Sequence, residues 1–257
     1  MTELVADLQA RLASRAQPEK RRWWEQYLKG QAQFRGVPMG DVRAAVQGWF
    51  ADYHLERLSD ADLLRLSDRL MAQAHTEDKL AVALLLQEVL LPAGRLPWPD
   101  VLARTGTWFE KGYLADWNAV DWYSVKALWA LVGRDGPDCA RAIVDWHRAE
   151  GLWQARASMV TFANVASRGD ALFPGFVAGM LQAGDVLIAR PERFSKTAVG
   201  WVLRGVREAA PEAVDAFVEA HLAQFSTEAL RSVFKNLDKG RLRSWVDRHR
   251  AVLVSSD

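Results

Sequence analysis

The chain has 257 residues, 50% hydrophobic and 25% charged, a globular composition with enough length for one large core or two small ones. Net charge is +1, but residues 15–43 carry seven Lys/Arg against three Asp/Glu, residues 44–189 thirteen against eighteen, and residues 190–257 twelve against nine. Basic ends around an acidic middle suit a polyanion gripped at both ends, or simply solvated helix faces, while the single Cys139 excludes an internal disulfide framework and a Cys-based zinc knuckle.

Helix signals run from the first residue. MTELVADLQARLASR reads as an amphipathic helix without the long apolar run of a signal peptide, and no stretch reaches the roughly 20 apolar residues of a membrane span. A cytoplasmic chain is the expectation. SDADLLRLSDRLMAQA (59–74) has Ser59 as an N-cap before apolar residues at helical spacing. EDKLAVALLLQEVLL ends before Pro92, and Pro137 and Pro211 open two further helices in their first turns. Strand alternation and Asn-Gly hairpin signals are missing, so about a dozen helices with short connections are expected.

The segment ADWNAVDWYSVKALWALV (115–132) is crowded with aromatics around one carboxylate, Asp121. A helix places Trp117 and Asp121 on one face. Trp122, Val125, Trp129 and Val132 make a second stripe, expected to face the core. Asp121 is then either a solvated surface charge or part of a site. Most of the twelve tryptophans are expected to be core, with a few left as flat apolar walls.

Helices also recur. Segments beginning at Glu77, Trp117, Trp153, Phe194 and Phe225 start 40, 36, 41 and 31 residues apart, and four of the five open on a large aromatic. That spacing fits helix-pair repeats of HEAT or armadillo length, and hence an all-α solenoid in one domain, residues 1–257, with a concave face formed by the second helix of each pair. Such a face would gather Trp117 and Asp121, then Trp153 and Arg156, then Lys196, Trp201 and Arg204. No GxGxxG or GKS/T phosphate loop is present, the five histidines are scattered, and neither a cofactor nor a metal is expected. One acid in the cluster does not support a paired-carboxylate glycosidase.

Four stretches then carry a resemblance: PEKRRWWEQYLKGQAQFRGV (18–37), WNAVD (117–121), WQAR (153–156) and AVGWVLR (198–204). In order and spacing they resemble the AlkD-type DNA alkylation-repair enzymes, the HEAT-like repeat DNA glycosylases, across about residues 5–240. The resemblance implies a monomer that wraps duplex DNA and excises purines carrying cationic alkyl groups at N3 or N7, without extruding the base. It implies Asp121 as the catalytic aspartate beside the deoxyribose, Trp117 and Trp201 as the tryptophans packed on the sugar, and Arg156 as the arginine of that cluster near the phosphate. Tyr27, Arg204, Lys196, Lys29 and Arg35 are the implied contacts to the DNA backbone.

Three departures stand out. The turn after Gly36 reads Val37-Pro38-Met39-Gly40 where the family often has a polar DNA contact, Asn118 stands where an acid is common, and Trp122 and Tyr123 are bulky. They point toward a preferred adduct larger than methyl, such as a bulky minor-groove N3-adenine adduct. The rival readings are a non-catalytic module that binds DNA structure and a protein-binding solenoid scaffold.

Overall fold

The computed structural model describes residues 1–255. The first half of the chain forms α1 (Thr2–Ala13), α2 (Pro18–Tyr27), α3 (Met39–Asp52), α4 (Asp60–Met71), α5 (Thr76–Leu84), α6 (Trp98–Glu110), α7 (Trp117–Tyr123) and α8 (Trp129–Asp135). The second forms α9 (Pro137–Val144), α10 (Leu152–Val160), α11 (Phe176–Ala189), α12 (Arg193–Ala209), α13 (Pro211–Ala220), α14 (Thr227–Val233) and α15 (Lys239–Ser255). A single isolated bridge, Gln33 to His75, is the one extended pairing among the described residues. The expected helix boundaries hold: Ser59 accepts a hydrogen bond from the Asp62 N–H at 3.1 Å, and Pro137 and Pro211 sit in first turns.

The chain groups into two compact units that divide between Asp135 and Gly136. In the first, α3, α5 and α7 pack in succession, and α1, α4 and α6 follow one another beside them. In the second, α10, α12 and α14 pack in succession, flanked by α9, α11 and α13, with α15 laid against α14. Each unit is thus an all-α, solenoid-like stack of helix pairs. The recurrent segments from Glu77 and Trp117 fall on successive members of one layer, as do those from Trp153, Phe194 and Phe225. The repeat in the sequence is a repeat in packing.

Apolar periodicity fills the space between layers. Leu8, Leu12, Leu63, Leu66, Leu128 and Leu131 in the first unit and Phe162, Phe176, Leu187 and Leu203 in the second are fully buried. Each such side chain stabilises the fold by about 1.5–3 kcal/mol. Tryptophan behaves otherwise than expected. Only Trp49 and Trp108 of the twelve are fully buried, and their indole N–H groups donate to the Leu4 carbonyl at 2.9 Å and to Asp68 at 2.7 Å. The remaining rings keep an open side, because a two-layer stack has little interior wide enough for an indole.

The Trp122, Val125, Trp129 and Val132 stripe is a second correction: only Val132 is buried, both rings are half-buried, and Lys126 lies over Trp122 at 5.6 Å. Residues Ser124–Leu128 between them form a π-helical turn. Its wider winding throws the following helix out of phase by roughly one residue, about 100°. Val120, Tyr123, Ala127, Leu128 and Leu131 take the core side instead. A matching π segment, Leu85–Leu90, follows α5, and the two touch.

Two close approaches fix the packing. In α12, Gly200 lies so near α14 that a Cβ would meet the Ala229 carbonyl oxygen at 2.5 Å. Near the N-terminus, the buried Glu77 carboxylate accepts from three successive backbone N–H groups, Arg35 at 3.0 Å, Gly36 at 2.8 Å and Val37 at 3.1 Å. Gly36 has φ +84°, and a Cβ there would meet the Gln17 carbonyl oxygen at 2.4 Å, so only glycine fits this turn. Gly200→Ala is expected to lower stability by about 1–3 kcal/mol through forced separation of α12 and α14, read as a reduced urea midpoint. Glu77→Ala should lower it by about 2–4 kcal/mol because three donors lose their acceptor, with Glu77→Gln, which retains an acceptor oxygen, losing distinctly less.

Candidate functional site

The first unit builds its candidate site at the start of α7. Asp116 has extended backbone and caps the helix, its Oδ1 accepting from the Ala119 N–H at 2.9 Å. A carboxylate there also complements the positive end of the helix dipole. Trp117 follows, half-buried, and Asp121 comes one turn later. Asp121 is only 8% exposed, so the surface-charge alternative does not hold. Asn118, at 7% exposure, is buried beside them.

Charge around this helix start is unusually dense. Lys79 reaches in from α5 and donates to the Tyr113 carbonyl oxygen. Burial depresses its ammonium pKa, against the favourable pull of Asp116 and Asp78. Burial raises the Asp116 carboxyl above the usual range, opposed by its hydrogen bond from Ala119 and by Lys79, and the neighbouring Asp121 charge pushes it further up. Two carboxylates five residues apart and a half-buried lysine therefore share one electrostatic environment.

An aromatic wall from α2 meets Trp117. The Tyr27 ring stands edge-on to it with centroids 5.7 Å apart. Trp23 stacks on Tyr27 at 5.0 Å and 12°, and Trp24 stacks on Phe34 at 5.4 Å. Trp23 and Tyr27 are 54% and 55% exposed, an uncommon state for two stacked rings. The wall is held by the 33–37 segment: Gln33 accepts from Thr76 N–H at 2.8 Å, Gly36 from Gln17 N–H at 3.1 Å, and Glu77 fixes what lies between. The sequence reading placed Tyr27 and missed Trp23, although their i, i+4 spacing in RRWWEQY signals one face. It also missed Lys79, for which the sequence offers no cue.

In the second unit Arg156, on α10, is 4% exposed. Its Nη1 donates to the Phe194 carbonyl at 2.6 Å and to Thr197 Oγ1 at 3.2 Å, which ties α10 to the first turn of α12. Trp153 packs against Phe194 at 5.3 Å. On α12, Lys196, Trp201 and Arg204 are half-buried; Lys196 donates to the Gln224 carbonyl at 2.6 Å, and Arg204 has no carboxylate within ion-pairing distance among the described residues. Gly200 beside Trp201 explains part of AVGWVLR: the glycine brings α12 onto α14, and the tryptophan emerges next to the contact.

The implied backbone contacts differ in what surrounds them. Lys29 is exposed, in a left-handed turn with φ 52° after α2. Arg35 has a structural partner: its Nη1 donates to Asp78 at 2.9 Å, and the two side chains are 10% and 0% exposed. The turn at Gly36 points it inward, and its removal would strand a buried carboxylate. Among the described residues no group of three His, Cys, Asp or Glu side chains is arranged to hold a metal, and no helix is long and apolar enough to cross a membrane.

Known proteins agree with this architecture. The sequence profile described as "DNA alkylation repair enzyme" matches residues 8–237. A solved structure described as a predicted DNA alkylation repair enzyme from Enterococcus faecalis is similar, with a TM-score of 0.70 at 19% identity over 88% of this chain and 98% of that one. A likeness at that identity supports the fold alone. A search of curated proteins returned no match. With nine-tenths of its length inside the family profile, the chain belongs to the DNA alkylation repair enzymes.

Proposed function

We propose that this protein is a monofunctional DNA glycosylase that hydrolyses the N-glycosidic bond of cationic N3- or N7-alkylated purines in duplex DNA, with Asp121 at the reacting sugar. The observation that carries the reading is a nearly buried carboxylate, Asp121, one turn from a half-buried Trp117 whose ring is walled by exposed aromatics.

The chemistry follows from the lesion. An alkylated purine already carries positive charge and is a good leaving group. The bond from C1′ to the purine nitrogen breaks, its electron pair goes to the base, and the base departs neutral. Positive charge is left on the sugar, where the Asp121 carboxylate stabilises it. A water oxygen then bonds to C1′, its proton passes to Asp121 and on to solvent, and an abasic site remains. Trp117 is assigned a ring face toward the cationic sugar, about 0.5–2 kcal/mol, and the family resemblance assigns Trp201 to the same sugar. Arg156 is assigned to the flanking phosphate, and Tyr27, Lys29, Lys196 and Arg204 to the DNA backbone. None of these roles requires base flipping, and the protein acts as a monomer.

The exposed Trp23–Tyr27 stack favours a bulky N3-adenine adduct over a simple methyl group, since it provides a flat apolar surface beside Trp117 that a methyl would leave unused. The rival reading, a module that binds DNA structure without catalysis, separates cleanly in assay. Duplexes carrying N7-methylguanine, N3-methyladenine or one bulky N3-alkyladenine should release free base with the wild type, and Asp121→Asn should lower the rate by on the order of 100-fold or more while binding persists. DNA binding with no base released from any of the three would favour the rival. Trp23→Ala is expected to slow release of the bulky adduct by about tenfold and of N3-methyladenine by less than about twofold, as removal of one stacking surface requires; equal effects on both would remove the argument for bulky substrates.

A further inference from the structure

The last helix, α15, begins at Lys239, two residues beyond the family profile, which ends at 237. The second unit therefore carries an element that the family resemblance does not cover. It is firmly mounted. Trp245 stacks on Phe234 at 4.4 Å and 15°, Arg248 lies over Trp245 at 4.6 Å and pairs with Glu219, and His249 Nε2 is 3.0 Å from the Phe225 carbonyl oxygen. Asp238 caps the start, its Oδ1 accepting from the Gly240 and Arg241 N–H groups at 2.9 and 3.0 Å. A helix held this way presents a fixed outer face.

That face forms a groove of about 350 Å³ with α14. Arg231 lines it from α14, and Lys239, Arg243 and Arg250 line it from α15. Leu242 and Val246 give it an apolar floor, and Asp247 is its one acid. Asp247 lies 3.5 Å from Arg250, at the limit of an ion pair. Arg231, Lys239 and Arg243 have no carboxylate within ion-pairing distance among the described residues, although most surface arginines of this protein do, as Arg65, Arg141, Arg193 and Arg241 illustrate. Three uncompensated cations converging on one groove repel each other, an arrangement that an anion relieves.

We propose that the α14–α15 groove is a phosphate-binding surface for duplex DNA, outside the lesion site. Lys239, Arg243 and Arg250 fall four and seven residues apart on one face, spanning about 16 Å of helix, the axial length of about five base pairs. A row of that length matches successive backbone phosphates and exceeds what one free phosphate needs. Arginine forks take phosphate oxygens in pairs, and the Leu242–Val246 floor suits deoxyribose between them. The surface extends the DNA footprint without reading sequence. This inference rests on the DNA-repair reading.

The test is the salt dependence of duplex binding by the full chain, measured by fluorescence anisotropy, for the wild type and the R231Q/K239Q/R243Q variant. All three side chains are exposed, so thermal melting should match the wild type. The plot of log K against log salt should flatten by about two to three, about 0.9 for each phosphate no longer neutralised, with affinity down tenfold or more near 0.1 M salt. Single-turnover base release at saturating enzyme should stay within about twofold of wild type. A control neutralising Arg57, Arg65 and Arg148, three exposed arginines elsewhere, should leave the slope unchanged. An unchanged slope in the groove variant overturns the proposal and leaves the glycosylase reading intact, as does an equal flattening in the control, which would report net charge alone. Failure of the wild type to bind duplex DNA at all would overturn both readings.

Discussion

One buried carboxylate organises the aromatic wall. Glu77 collects the N–H groups of Arg35, Gly36 and Val37, and its neighbour Asp78 takes the Arg35 guanidinium. A turn that would otherwise leave several polar groups unpaired in the interior is thereby fixed. The turn sets Phe34, Phe34 sets Trp24, and α2 then carries Trp23 and Tyr27 to the ring of Trp117. An ionic anchor suits this task better than apolar packing, because three directional hydrogen bonds specify position and orientation, whereas apolar contact specifies chiefly area.

The start of α7 shows the opposite balance. Asp116 and Asp121 repel each other, burial disfavours the Asp116 charge, and Lys79 is itself desolvated. Such a cluster works against stability. Under the proposed glycosylase reading, that cost is offset where a desolvated carboxylate stands close to developing positive charge. The π turn that follows Asp121 fits that reading, since π insertions are frequent at functional sites.

The second unit separates two uses of positive charge. Arg156 is buried and holds α10 to α12 through the Phe194 carbonyl and Thr197, so its position is defined before any ligand arrives. The cations of the α14–α15 groove are exposed and act by number and spacing. A buried, hydrogen-bonded guanidinium fixes how two helices pack, while exposed charge is screened by salt and left open to an anion.

Local signals determined the helices, their caps and their recurrence. Ser59, Pro137 and Pro211 mark helix starts by chemistry that acts within a turn, and the aromatic openings at Trp117, Trp153 and Phe194 mark repeats because each unit must bury the same face. The pairing of Trp117 with Asp121 was legible for the same reason, as i, i+4 geometry is local. Tertiary structure decided the rest. Whether Asp121 was solvated depended on the elements packed over α7, and the fate of Arg35 depended on Asp78, 43 residues away. The π turn at Ser124–Leu128 shifts the phase of the helix after it, so Ala127, Leu128 and Leu131 meet the core while Trp129 stays half-buried. Periodicity determines which residues share a face; only packing of distant segments determines whether that face meets core, water or a ligand.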